Sequence, residues 1–167
     1  MENFVSGILI SNEPNAVYEG AVFNRYLVLQ LDNGQTLVVF DPHCKSAKLV
    51  IGERYQVLVK PFIHNLHYIE NEADLKSDEG LIFGRITNLS WTPPDISSNI
   101  YCTVDALRLF KDNNPFTLIE TRYGTLIYPL ALVERRAEMN RDEFKIGAFL
   151  QWEESRFDFV AALDPFA

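Results

Sequence analysis

The chain alternates between apolar and polar residues. In Arg25–Leu31, Leu27, Leu29 and Leu31 fall on one face, and in Tyr55–Val59 so do Tyr55, Val57 and Val59. A period of two marks a strand with one side buried and the other in water. Asn33-Gly34 stands between two such runs, and both residues tolerate the positive φ of a two-residue hairpin turn. Tyr123-Gly124 is placed likewise between Phe116–Thr121 and Thr125–Tyr128. The fold class expected is all-β with one or two short helices. The better helix candidate is Leu130–Phe144: Pro129 fits the entry, Leu130, Val133 and Ala137 recur at helical spacing, and Glu134, Arg135, Glu138 and Arg141 can face water. Asp41-Pro42 offers an N-cap ahead of a shorter turn over His43–Lys48.

Three pairs of segments recur in the same order. Val5-Ser6-Gly7-Ile8-Leu9-Ile10 matches Ile82-Phe83-Gly84-Arg85-Ile86-Thr87, Asn33-Gly34-Gln35-Thr36-Leu37 matches Tyr123-Gly124-Thr125-Leu126, and Ile51-Gly52 matches Ile146-Gly147. Both intervals lengthen in the second copy, one by a Pro/Ser-rich loop around Trp91 and the other by the helix candidate. Each half then holds three strands, a helix or helical turn, and two more strands. That order resembles the OB-fold, a five-stranded Greek-key barrel. The resemblance implies two tandem OB-like five-stranded barrels: residues 1–70, an acidic linker at 71–80, and an enlarged second unit at 81–167. A single larger β-sandwich is the alternative.

A hydrophobic fraction of 47% supplies enough apolar surface to offset the entropy of ordering the chain, so disorder is not expected. The charge balance is 15 basic against 23 acidic residues, net −8. Nucleic-acid binding draws on Lys and Arg displacing counterions, so a general nucleic-acid coat is disfavoured and a basic protein surface favoured. Residues 80–167, with 9 basic and 12 acidic groups, repel phosphate less than residues 1–79, with 6 and 11. No apolar run reaches the roughly 20 residues of a membrane-spanning helix, and the start lacks the basic and apolar regions of a secretory signal. A cytoplasmic protein without membrane association is expected, with Cys44 and Cys102 as reduced thiols.

Chemistry-bearing motifs are scarce. His64 and His67, with His43-Cys44 upstream, are the nearest approach to a metal set, but positions 64 and 67 of a strand point to opposite faces, and no metal site is expected. Nucleotide, dinucleotide and nucleophile-elbow motifs are absent, so neither a cofactor nor an enzymatic activity is expected. The leading expectation is a binding or scaffolding module that recognises a protein partner through barrel loops and an edge surface. Its candidate residues are Trp91, in the apolar loop Trp91-Thr92-Pro93-Pro94, and Phe166, in the terminal Asp164-Pro165-Phe166-Ala167. That terminus is faintly similar to the partner-recruiting tip of bacterial single-stranded DNA-binding proteins. The alternative is selective single-stranded nucleic-acid binding by the second unit, where Arg85 and Arg122 would frame a groove with Tyr101, Tyr123 and Trp152 as stacking rings. An enzyme with a cleft between the units is a third reading.

Overall fold

The computed structural model describes residues 3–92, 100–102 and 115–163. Among the described residues the fold is all-β apart from one short α-helix and three single 3-10 turns. Strand β1 (Val5–Pro14) pairs antiparallel with β4 (Arg25–Leu31), which pairs with β5 (Thr36–Asp41) through the hairpin at Asn33-Gly34. β6 (Arg54–Pro61) lies on the other side of β1, and β13 (Phe157–Leu163) lies beside β6. One parallel pairing, Phe40 to Asp158, closes the circle β1-β4-β5-β13-β6. Leu9, Leu27, Leu29, Val39, Val57 and Phe159 fill its interior. Between β1 and β4, the ribbon carries a small hairpin of β2 (Val17–Tyr18) and β3 (Ala21–Val22).

The second sheet runs β11-β10-β8-β12-β7. Its strands are β7 (His64–Ile69), β8 (Leu81–Trp91), β10 (Phe116–Thr121), β11 (Gly124–Pro129) and β12 (Phe149–Glu153). A short strand β9 (Ile100–Cys102) adds to β13 of the first barrel. Helix α1 (Leu130–Ala137) buries Leu130 and Val133 and packs against both β7 and β11, the two outer strands of this sheet. Expected to run to Phe144, the helix stops earlier because Glu138 takes a left-handed conformation, φ 54°, and Met139 N–H bonds back to the Glu134 carbonyl. Asn140 and Glu143 then form a capping box on a separate 3-10 turn, Arg141–Glu143.

Strand membership departs from the sequence division at residues 71–80. The fifth strand of the first barrel is β13, from the end of the chain, while β7, which follows β6 directly, joins the second sheet. The cause is a single antiparallel ladder that bends and shifts register at two points, between Gln151 and Glu153 and between Phe159 and Ala161. Lys60 and Pro61 face Asp158 and Phe157, and beyond the bend His64 faces Glu153 and Ile69 faces Phe149. Phe62 N–H bonds to the Arg156 carbonyl at 2.7 Å, carrying the pairing across the corner. Strands β6–β7 and β12–β13 thus form one ribbon shared by both sheets.

The outer sides of β6 and β13 are not left to water. Leu58, Val160 and Ala161 pack on Phe116, Leu118 and Ile127 of the second sheet, with Phe4 and Trp91 at the rim. Strict alternation therefore breaks down in β6, where Val57, Leu58 and Val59 are all buried. The two hairpin turns seen in the sequence also meet, Asn33 Nδ2 and Gln35 Nε2 both donating to the Arg122 carbonyl at 2.9 and 3.3 Å.

The strand glycines of the matched segments have a common structural demand. A Cβ on Gly7 would run into the Gln30 carbonyl, and one on Gly84 into the Ile119 side chain and the Glu120 carbonyl, so β4 and β10 approach their neighbours where no side chain can stand. Two residues on, each unit makes the same two bonds. Leu9 N–H donates to the Glu53 carbonyl and Gly52 N–H to the Leu9 carbonyl; Ile86 N–H donates to Ala148 and Gly147 N–H to Ile86.

The acidic segment between β7 and β8 crosses the outer face of β12 as a strap. Gln151, 2% exposed, holds it there: its Nε2 donates to the Lys76 carbonyl at 2.7 Å and its Oε1 accepts from Lys76 N–H at 3.1 Å. No helix among the described residues is long and apolar enough to cross a membrane.

Candidate binding surfaces

Arg85 and Arg122 do come together, with Phe83, Phe149, Glu72 and Glu120, around a recess of about 370 Å³ on the second sheet. Neither cation is unpaired. Arg85 lies 3.5 Å from Glu120, and Arg122 lies 3.5 Å from Glu154 and donates to the Tyr123 hydroxyl at 2.7 Å. Tyr123 in turn donates to Glu154 at 3.0 Å, while its ring meets the Phe157 ring edge-on at 5.3 Å. Burial pushes the Tyr123 phenol above its ordinary pKa, which keeps it a donor. The group is a closed local network rather than an open cationic groove.

Trp152, expected as a stacking ring, is 1% exposed and belongs to the hydrophobic core, because it shares the inward face of β12 with Leu150. Trp91 does anchor an interface, but an internal one: its ring lies 5.3 Å from Phe4 and 6.3 Å from Phe116 at the rim of the contact between the sheets. Tyr101 is placed in β9 by its backbone, facing Ala162. The Tyr101 side chain, Phe166 and residues 93–99 lie outside the described residues.

The histidines do not form a ligand set. His64 packs on the Phe62 ring at 5.0 Å, and among the described residues no group of three or more His, Cys, Asp or Glu side chains could hold a metal ion. Cys44 Sγ donates to the Val22 carbonyl at 3.4 Å. Burial, with the Asp41 carboxylate nearby, raises its pKa and so disfavours the thiolate. Six apolar side chains fill the contact between β6–β13 and the second sheet, and a separate cleft of about 920 Å³ is lined by His67 of β7, Asp74, Asp78 and Glu79 of the strap, and Glu153 and Glu154.

Sequence reasoning missed the outer face of the first barrel. Its cross-strand rows are Ile8, Gln30 and Thr36; then Ser11, Val28 and Val38; then Glu13, Tyr26 and Phe40, with Ile10 standing in the bulge between Leu9 and Ser11. Glu13, exposed at the end of the third row, is their one charged side chain, and Val38 is 51% exposed and Ile10 46%. The face ends on a ladder of rings and a cation. Tyr26 meets Phe40 at 5.1 Å, and the Arg156 guanidinium lies 4.6 Å from the Phe40 ring and 4.7 Å from the Phe62 ring. Asp158 accepts from Arg156 Nε at 2.6 Å, fixing the guanidinium between the two rings. The signal was present in Ile8-Leu9-Ile10, Leu27-Val28-Leu29 and Leu37-Val38-Val39-Phe40, where apolar residues occupy both parities of a strand and so line both of its faces.

The β2–β3 hairpin extends the β1–β4 ribbon beyond the barrel as an arm. Its base is fixed by Asn24, whose Oδ1 accepts from Asn15 Nδ2 and Ala16 N–H, and by Phe23 N–H bonding to the Ala16 carbonyl at 2.8 Å. The tip turns through Glu19 and Gly20, both at positive φ. Tyr18 is 66% exposed, and Val17 and Phe23 are 56% exposed. An arm this apolar has been left in water on both sides.

No protein-family model matches the chain, and no curated protein matches its sequence. Among solved structures, it is similar to the cytoplasmic molybdate-binding protein ModG, in a crystal form with molybdate bound, at 9% identity and a TM-score of 0.38 over 95% of this chain and 94% of that one. At that distance neither a shared ligand nor a shared activity follows.

Proposed function

We propose that the protein is a non-catalytic binding module, a duplicated barrel that recognises a protein partner through the outer face of β1, β4 and β5 and the β2–β3 arm. The observation that carries this reading is the largely apolar outer face itself, with one charge in its rows, Glu13. A solvated antiparallel sheet ordinarily turns polar side chains outward, and continuous apolar patches beyond a few hundred Å² mark sites of association. In a chain with 38 charged residues among 167, three adjacent strands whose outer rows carry a single charge, Glu13, call for a partner.

The test uses Val38→Glu and Ile10→Lys, both at exposed positions. Each variant is expected to lose the protein recovered with the wild-type chain on affinity purification while keeping its far-ultraviolet spectrum. Retention of the same partner by both variants would defeat the proposal.

One observation favours a second reading, binding of single-stranded nucleic acid at the recess. Phe83 and Phe149 lie with ring centroids 6.1 Å apart beside Arg85 and Arg122, an aromatic and cationic combination suited to a base and its phosphate. The ion pairs to Glu120 and Glu154 would have to open first. Salt-sensitive binding of a short oligonucleotide, weakened by Arg85→Ala and Arg122→Ala, would support this reading; no binding at low salt would remove it.

A further inference from the structure

We infer that the partner seated on the barrel-one face is a second copy of this chain, packed face to face about a twofold axis; the inference rests on the docking-face reading above. Area is the first argument. Ile8, Ile10, Tyr26 and Val38 on the face, and Val17, Tyr18 and Phe23 on the arm, are each roughly half exposed. At the ~150–250 Å² an aromatic side chain offers, and less for Val and Ile, they present about 700 Å² per chain, close to the ~800 Å² each partner contributes to a stable interface. Sheet faces of this kind pack in near alignment, and a flat apolar surface is complementary to its own copy.

Charge placement is the second argument. A basic partner would gain most where acids cluster, and that cluster lies elsewhere, the face holding Glu13 and the arm Glu19. Glu70, Glu72, Asp74, Asp78 and Glu79 ride on the strap over β12, with Glu153 beside them around a cleft of about 920 Å³. The middle strand of the docking face, β4, adjoins neither β6 nor β13, the strands whose outer sides meet the second sheet. The face therefore looks away from the acidic strap. Two copies of a chain with net charge −8 can join there with both straps outside the contact, Glu13 and Glu19 being the acids that the face and the arm bring toward it.

Sedimentation velocity on the full chain tests this. The wild type is expected to sediment as a species of twice 19.2 kDa at about 100 μM, a concentration at which an interface of this size is occupied. Val38→Glu places an unpaired carboxylate in the contact and is expected to weaken the dimer by about tenfold or more. Tyr18→Ser on the arm, remote from the barrel core, is the second variant and is expected to weaken it as well. A wild-type chain that remains monomeric at that concentration overturns the inference. If that monomer still recovers a different protein in a Val38→Glu-sensitive way, the docking-face reading stands without it; if it recovers none, both fall. A dimer that survives both substitutions unchanged would also overturn the inference, because its contact would then lie elsewhere.

Discussion

Gln151 settles where the acidic strap lies. It alternates with Leu150 and Trp152 along β12, so its amide points outward, yet it is buried because Lys76 covers it and both polar atoms of the amide bond that residue's backbone. Gln151→Ala removes both bonds and leaves two backbone groups to find water. The expected loss is about 1–3 kcal/mol in a urea melt, with faster hydrogen exchange at the Lys76 amide and little change elsewhere. An unchanged Lys76 exchange rate would mean the strap is held by something else. Residue-scale chemistry was partly legible. Asp41 is expected as the N-cap from Asp41-Pro42, but the cap position of the 3-10 turn Lys45–Lys48 is Cys44, at φ 55°, and buried Asp41 reaches into the turn instead, accepting from Ser46 N–H at 2.7 Å and from the Ser46 hydroxyl. Trp152 was misplaced because an aromatic in a strand gives no sign of which face is core when the neighbour on the other face, Gln151, is also buried.

At the scale of elements, turns and strand starts were the most readable features, because Asn33-Gly34 and the strand glycines Gly7 and Gly84 answer to local backbone geometry. Phe116–Thr121 was read from the sequence with the bounds it has as β10, and Arg25–Leu31 with those of β4. The helix was read seven residues too long, since Glu138 carries no glycine-like stop signal although it adopts the left-handed conformation. A glycine there would relieve that conformation. Glu138→Gly is expected to raise stability by about 0.5–1 kcal/mol, seen as a higher urea midpoint at constant slope. A loss of stability would show that the Glu138 side chain contributes more than its backbone costs. The apolar docking face was missed for a different reason. Alternation was used to find one buried face per strand, and a second apolar face reads as a continuous hydrophobic run whose outer half has no partner within the chain.

At the scale of the whole molecule, the sequence supported two sets of five strands but not how they are shared. Each half contains a complete set, and the pattern of β7 is as suited to the first barrel as to the second sheet. Only the long-range ladder, Arg54–Ile69 against Phe149–Leu163, decides that the fifth strands change places. The two sheets should accordingly fold as one unit. Residues 1–70 expressed alone lack β13, and residues 81–167 lack β7, so neither piece is expected to show a cooperative melt. Mixed during refolding, they should recover one; two independent transitions from the separate pieces would show that the ribbon is dispensable.

The most direct measurement of the account is photo-crosslinking from two exposed positions on opposite parts of the molecule, with the adducts mapped by mass spectrometry. A photoreactive residue in place of Val38 is expected to yield a protein adduct, with crosslinks returning to β1, β4, β5 or the arm of a second copy. The same residue in place of Phe83, on the second sheet, is expected to yield none. Adducts from position 83 and none from position 38 would contradict the claim that the protein binds through the outer face of its first barrel.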